Sequence, residues 1–161
     1  MSKENKYGGL VESGIISEED LNSTILTASN ENREIEYIFL NELKLSREDI
    51  GKSLELFYNV PYQMYDGSVL PESIFSGLNK NYLKRNNWVP LVDEKDTAVI
   101  LIDDPSDENK IENIPQKFSK KRLEFRVGLK SDIHDFLNSS SSDEEVEEQN
   151  GSVGADSSIA S

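Results

Sequence analysis

The residues of this chain that could do chemistry are few. His134 is the only histidine, and the chain contains no cysteine. General base catalysis needs partners that converge on the histidine, and His134 has Asp135 beside it but no serine or cysteine motif to activate. We therefore expect a surface or half-buried side chain at His134. Without cysteine, disulfides, thiolate chemistry and Cys-ligated zinc are excluded.

A second candidate is Gly51-Lys52-Ser53, which has the ending of a phosphate-binding loop. Such a loop begins with an earlier glycine and follows a strand, so that its amides surround the phosphates at a helix N-terminus. Ser46 stands where that first glycine would be, and Gly51 falls inside a predicted helix. We interpret the triplet as an exposed helical turn.

A third candidate is an acidic cluster with the oxygen ligands that divalent cations prefer, namely Asp103, Asp104, Asp107 and Glu108. Its spacing differs from that of an EF-hand loop. A turn, followed by negative charges at a helix N-terminus, explains the same residues. We therefore predict no metal site, no catalytic residue and no cofactor, and we do not expect an enzyme.

Composition and charge restrict the compartment and the partners. The chain has 161 residues, of which 35% are hydrophobic and 30% charged, and its formal net charge is −14. Such a charge repels nucleic acid backbones, whose recognition needs Lys and Arg, so we predict no nucleic acid partner. No run approaches the roughly 18 apolar residues of a membrane span, which predicts no direct membrane insertion. We expect a cytoplasmic protein.

The elements that must position any site begin with a repeated phrase. Gly14–Leu21 and Leu43–Ile50 superpose after a shift of 29 residues. In each copy a helix ends, a short turn follows, and a serine, Ser17 or Ser46, can cap the next helix. The pattern predicts four short helices over residues 8–59, arranged as two helix-pair repeats. The inner faces of the two capped helices are predicted to contain Leu21, Ile25, Ala28, Ile50, Leu54 and Phe57.

The pattern changes at Trp88. Residues 88–92 and 97–102 predict a hairpin, whose second strand is apolar on both faces, as is typical of a central strand. Pro90 predicts that the first strand lies at an edge of the sheet or contains a bulge. Alternation over residues 123–129 predicts a third strand with one solvated face. We expect Trp88 in the core, and a surface recognition patch is the other interpretation.

Together these patterns predict an α+β protein. The helical repeats over 8–59 precede a small three-stranded α/β sandwich domain over 60–138. Residues 1–7 are predicted to be a disordered N-terminus, and residues 139–161 a disordered Ser/acidic tail with six acidic and no basic residues. The serines ahead of the first acidic residues suit an acid-directed Ser kinase, and a solubilising tail is the simpler interpretation.

The run from Leu10 to Leu21 resembles the N-terminal (MshEN-like) domain of GspE/PilB ATPases, which drive type II secretion and type IV pilus assembly. That family carries two tandem copies of a motif of the form RLGxxLLxxGLIxxxxLxxxLxxQ, followed by a small α+β domain entered through a proline-containing segment. Val60-Pro61-Tyr62 is similar to this segment, and Ile102-Asp103-Asp104-Pro105 to a strand that ends in Asp-Pro. The resemblance covers about residues 6–137 and does not include the ATPase core.

In that family many members bind cyclic di-GMP between the two motif copies. The resemblance implies that this ligand, if bound, would contact an apolar frame of Leu10, Val11, Gly14, Ile15, Ile16, Leu21 and Ile25. The arginine positions of the two copies are Asn5 and Glu34, and the first glycine position of the second copy is Glu36. A dianionic ligand that faces two carboxylates, with no aligned arginine, is badly placed.

The sequence thus supports two functional hypotheses. The first is a non-enzymatic adaptor or regulatory module, which docks its helical half on a protein partner in a secretion, pilus or motility apparatus. The second is a cyclic di-GMP-binding effector domain with altered motif residues. Both rest on analogy with the family, since the chain has no complete catalytic constellation.

Overall fold

A computed structural model describes residues 5–139 of the chain. Residues 1–4, and the predicted acidic tail beyond Ser139, lie outside the described residues. No helix in the described part of the chain is long and apolar enough to cross a membrane.

Short helices and one small sheet make up the fold. In chain order the α-helices are Gly8–Glu12 (α1), Glu18–Asn30 (α2), Ile35–Tyr37 (α3), Arg47–Tyr58 (α4), Lys80–Asn86 (α5), Glu108–Glu112 (α6), Gln116–Ser119 (α7) and Lys130–Asn138 (α8). A π-helical turn, Ile38–Glu42, continues α3, and a 3₁₀ turn occupies Glu72–Phe75. The strands Trp88–Asp93 (β1), Thr97–Ile102 (β2) and Arg122–Val127 (β3) pair in the order β1-β2-β3. The α+β class and the three-stranded sheet are confirmed.

The chain divides into two compact units, which differ from the predicted division at residue 59. Unit 1 contains the described residues up to Met64 together with Leu101–Ile114 and Phe125–Lys130. Unit 2 contains Tyr65–Ile100, Pro115–Glu124 and the described residues from Ser131 onward. Each unit is therefore built from separate stretches of sequence.

Serine caps begin the second helix of both repeat copies. Ser17 Oγ accepts a hydrogen bond from the backbone N–H of Asp20 at 3.0 Å. Ser46 Oγ accepts one from the N–H of Asp49 at the same distance. Each cap satisfies a donor that the helix leaves unpaired, which stabilises a helix by about 1 kcal/mol. The repeated phrase is thus repeated in structure.

The turn before each cap differs between the copies. Gly14 ends α1 in a left-handed conformation, with φ of 80°. In the second copy the left-handed residue is Lys44, with φ of 60°, one position later than the shift of 29 residues predicts. The π-helical turn in this copy accounts for the difference, because its wider hydrogen-bonded loop accommodates one more residue than an α-helical turn.

The two copies pack on one another in unit 1. They contribute together to one buried cluster, which includes Leu10, Leu21, Phe39, Ile50 and Leu54. Burying each of these side chains stabilises the fold by about 1.5–3 kcal/mol. Ser53 on α4 also joins the copies, because its Oγ accepts the N–H of Gly9 at 2.9 Å and donates to the carbonyl of Lys6 at 2.7 Å.

Two predictions about this core are wrong. Tyr7, which was assigned to the disordered N-terminus, is only 4% exposed, and its ring meets that of Phe39 edge to face at 5.0 Å. Phe57, which was assigned to the inner face of α4, is 44% exposed. Ile50 and Leu54 already fill the core face of α4, and Phe57 falls outside it at the end of the helix.

The interpretation of Gly51-Lys52-Ser53 as an exposed helical turn holds only for Lys52. Gly51 and Ser53 are buried within α4. A Cβ on Gly51 would lie 2.3 Å from the ring of Tyr62, so glycine is what allows this ring to lie against the helix. The triplet therefore takes part in the packing of α4. Because it lies inside a helix, its backbone does not have the geometry of a phosphate-binding loop.

The hairpin of the second half is as predicted. β2 is central and buried from Ala98 onward, and β1, which carries Pro90, is an edge strand. Trp88 is completely buried in unit 2, where its ring meets Phe118 edge to face. Its expected place in the core is confirmed. β3 ends at Val127, two residues earlier than expected.

A 3₁₀ turn and then a separate helix, α5, follow Pro71. Gly77, with φ of 77°, separates the two. The side chain of Asn79 then caps α5 by accepting the N–H groups of Asn81 and Tyr82. Ile74 and Phe75 are both buried, although they lie in the 3₁₀ turn and not in an α-helix.

Replacing Ser53 by alanine should lower the free energy of unfolding by about 1–3 kcal/mol, because two backbone groups of the first copy lose their partner. Urea denaturation at neutral pH measures the effect. Ser29→Ala, at an exposed position of α2, is the matched control and should change stability by less than about 0.5 kcal/mol. Equal stabilities of the two variants would contradict the role of Ser53 in joining the copies.

Candidate binding site on the helical repeats

Two adjoining grooves lie on unit 1, and the side chain of Phe57 lines both. The larger groove has a volume of about 470 Å³ and is lined by Asn5, Lys6, Tyr7, Ile25, Ile35, Phe57, Tyr58, Asp104 and Ser106. The smaller groove has a volume of about 200 Å³ and is lined by Asn5, Gly8, Gly9, Glu12, Ser53, Leu56 and Phe57. The α1–α4 contact and the start of the first copy therefore form the candidate site.

Most of the residues predicted to contact a cyclic dinucleotide are part of the core. Leu10 and Leu21 are completely buried, and they offer no surface to a ligand. Val11 and Ile16 pack against the same cluster, Gly14 is exposed in its turn, and Ile15 is 37% exposed. Ile25 alone of the seven predicted residues lines either groove.

The positions where the family motif begins do reach the larger groove. Asn5, Lys6 and Tyr7 of the first copy line it, and so does Ile35 of the second copy. The starts of the two motif copies are thus brought together at this groove. Lys6 lies with its ammonium group 5.4 Å from the centre of the Tyr7 ring.

Lys130 donates hydrogen bonds to both acidic residues at the start of the second copy. Glu36 is buried, and its Oε1 accepts the backbone N–H of Lys130 at 2.9 Å. Its Oε2 accepts the hydroxyl of Tyr7 at 3.4 Å. Glu34 is exposed and accepts from Lys130 Nζ at 3.1 Å. At these positions, where the family motif has arginine and glycine, this chain has two glutamates that hydrogen-bond with Lys130.

Burial dominates the protonation of this network. It raises the pKa of Glu36, although the N–H of Lys130 and the charges of Lys6 and Lys130 oppose the shift. Burial also raises the pKa of Tyr7, and the neighbouring Glu36 carboxylate adds to this. A desolvated carboxylate is unfavourable when charged, so Glu36 resists ionisation.

Asp104 supplies the acidic wall of the larger groove. Burial alone would raise its pKa, but hydrogen bonds from the N–H and hydroxyl of Ser106, at 3.0 and 2.6 Å, lower it. Burial, the charge of Asp104 and a hydrogen bond to Asp104 raise the pKa of Tyr58 well above its usual value. Asp104 is therefore ionised at neutral pH and Tyr58 is neutral.

Charge is unevenly divided between the two units. Among residues 5–139, unit 1 has 16 acidic and 8 basic residues, whereas unit 2 has 8 of each. Six of the seven large hydrophobic residues that this part of the chain exposes also belong to unit 1, namely Ile15, Leu26, Tyr37, Leu43, Leu56 and Phe57. Unit 1 thus combines exposed apolar side chains with negative charge.

The other sequence candidates have structural partners. Asp103 accepts Lys110 Nζ at 2.6 Å, and Asp107 caps α6 by accepting the N–H of Lys110. No group of three or more His, Cys, Asp or Glu in the described part of the chain could hold a metal ion. His134 is half-buried, as expected, and its Nε2 contacts the carbonyl of Lys84 and the side chain of Asn87 in unit 2.

Sequence reasoning missed the residues that shape the grooves from α4. Leu56 is 75% exposed and Phe57 was expected in the core. Phe57 stands at the glutamine position of the second motif copy. The signal available in the sequence was this aromatic residue at a position where the family motif has a polar one.

Glu36→Gln should change how stability depends on pH. The pKa of Glu36 is higher in the folded chain than in the unfolded chain, so Glu36 stabilises the folded state when it is protonated. This contribution to stability is fully present below the unfolded pKa, about 4.3, and is lost as pH rises through the folded pKa. The wild-type chain should therefore lose stability relative to Glu36→Gln as pH rises toward 7. Urea denaturation at several pH values measures this. Glu112→Gln, at an exposed position, is the control for the loss of one carboxyl group. If the stabilities of wild type and Glu36→Gln depend on pH in the same way, the predicted effect of Glu36 is wrong.

Known proteins share this architecture. The family model of the MshEN domain matches residues 58–147. A structure of MshE with cdg aligns with a TM-score of 0.62 and 19% identity, covering 83% of this chain and 96% of that chain. The N-terminal domain of XpsE aligns with a TM-score of 0.59 and 20% identity, covering 86% and 95% of the two chains. No curated protein matches the sequence.

At these identities the structural alignments show a shared fold, and they extend it over the helical repeats that precede the family match. Together with the family match, they confirm the predicted resemblance to an MshEN-like N-terminal domain. Because the family model matches more than half of the residues, the chain belongs to the MshEN domain family.

Proposed function

We propose that this chain is a non-enzymatic regulatory or adaptor module, which docks its helical repeats on a protein partner of a secretion, pilus or motility apparatus. Unit 1 exposes six large apolar side chains in the described part of the chain, and this observation carries the proposal. Two of them, Leu56 and Phe57, line the smaller groove together. Contiguous exposed apolar surface with a polar surround is characteristic of protein interaction sites. The matches to a domain family and to an isolated N-terminal domain are consistent with it.

The acidic start of the second motif copy also favours a protein partner over a nucleotide. Glu36 and Glu34 are held by Lys130, and Asp104 adds a carboxylate to the groove. Phosphate groups need charge-assisted hydrogen bonds from arginine or lysine. Of the described residues that line the two grooves, Lys6 is the one basic residue.

A second candidate is a cyclic di-GMP effector domain, because one of the similar structures is of MshE with cdg, which we read as cyclic di-GMP. The larger groove joins the starts of both motif copies, where a dinucleotide would lie. This function would require contacts different from those of the family motif, with Lys6 as the cation.

The docking function predicts a specific complex. Crosslinking of the full chain in its native cells, followed by mass spectrometry, should recover one component of such an apparatus as a reproducible partner. Sedimentation of the purified pair should then show a stable complex. A chain that sediments as a lone monomer, and that crosslinks to no component in cells, contradicts the proposal.

Calorimetry with cyclic di-GMP separates the two candidates. We expect no heat from the wild-type chain at ligand concentrations up to about 100 µM, which corresponds to a binding free energy weaker than about −5.5 kcal/mol. The double variant Asn5→Arg, Glu34→Arg has arginine at the arginine position of both motif copies. It should bind cyclic di-GMP at least tenfold more tightly than the wild-type chain does. Wild-type binding in the micromolar range would establish the second candidate instead.

A further inference from the structure

The end of α4 presents a two-sided apolar ridge on unit 1. Phe57 lines both the larger and the smaller groove, and Leu56 lines the smaller groove with 75% of its surface exposed. Adjacent residues on a helix point in different directions, so the pair presents apolar surface on both sides of the ridge. An occupant that filled both grooves would cover most of this surface.

Acidic groups stand beside this ridge. Glu12 lines the smaller groove and Asp104 the larger one. Asp104 keeps its charge at neutral pH, because Ser106 stabilises the carboxylate with two hydrogen bonds. The opposing ammonium group of Lys6 lies over the Tyr7 ring. These grooves belong to the unit in which acidic residues outnumber basic ones by 16 to 8 in the described residues.

We propose that the Phe57 grooves receive a basic amphipathic helix of a protein partner, whose apolar side chains enter beside Leu56 and Phe57 and whose Lys or Arg side chains pair with Glu12 and Asp104. The proposal rests on the docking function above and defines the chemistry of the partner segment. Charge complementarity selects the occupant, because Glu12 and Asp104 would repel an acidic helix and attract a basic one. The mode is that of a helix lying in a groove.

Synthetic helices of designed composition test this with the full chain. The probe is an amphipathic peptide with leucine on one face and lysine on the other, and the comparison peptide has glutamate in place of every lysine. Fluorescence anisotropy should show binding of the lysine peptide and at least tenfold weaker binding of the glutamate peptide. Raising the salt concentration from about 0.05 to 0.5 M should weaken the lysine complex, because screening acts on its ion pairs.

Matched variants locate the site. Leu56→Ser and Phe57→Ser should each raise the Kd for the lysine peptide about tenfold, a loss of about 1.4 kcal/mol. Leu26→Ser, which removes a 62% exposed leucine that lines neither groove, should leave the Kd within about twofold. Asp104→Asn should weaken binding and reduce its salt dependence. Equal losses at Leu56 and Leu26, or equal affinity for the two peptides, would overturn the proposal.

A photo-crosslinker placed at Phe57 separates this inference from the docking function. Sequencing of the crosslinked segment should reveal a stretch with net positive charge and apolar residues at helical spacing. A partner that crosslinks elsewhere on unit 1, or through an acidic segment, overturns this inference and leaves the docking function standing. A crosslink to a second copy of this chain also overturns it, and the absence of any partner overturns both.

Discussion

The structure of unit 1 depends on the close approach of α1 to α4. Gly9 has no side chain to keep the helices apart, and a Cβ there would come within 3.1 Å of the Ser53 backbone. The approach lets Ser53 satisfy polar groups of the first copy and lets Leu10 and Leu54 enter one cluster. Neither helix pair could bury its apolar stripe alone, so the repeat is stable only as a pair. The same approach forms the floor of the smaller groove.

Features set by local sequence could be predicted. Ser17 and Ser46 cap their helices through bonds that span only three residues, and Pro90 restricts β1 to an edge through its missing N–H. The hairpin needed only the change from helical to alternating periodicity at Trp88. Each of these depends on neighbours in sequence, and the repeat supplied a second instance of the caps.

Features set by distant contacts could not be predicted. Tyr7 is buried because Phe39, 32 positions away, offers a ring to pack against, and nothing near Tyr7 indicates this. The bond between Glu36 and Lys130 spans 94 residues. Sequence alone therefore presented Glu36 as a charge facing a ligand, whereas the structure shows a buried group that stabilises another part of unit 1. The prediction that Phe57 is buried was also wrong because of distant contacts. Helical periodicity shows which face of α4 is apolar, but not how far along the helix the rest of unit 1 covers that face.

Glu36 also restricts which side chains its position can tolerate. Returning it to the glycine of the family motif would remove the acceptor of the Lys130 N–H and leave an empty space beside the Tyr7 hydroxyl. Glu36→Gly should therefore destabilise unit 1. Position 36 is thus epistatic with Lys130 and Tyr7, because a residue there must both accept their hydrogen bonds and fill the space between them.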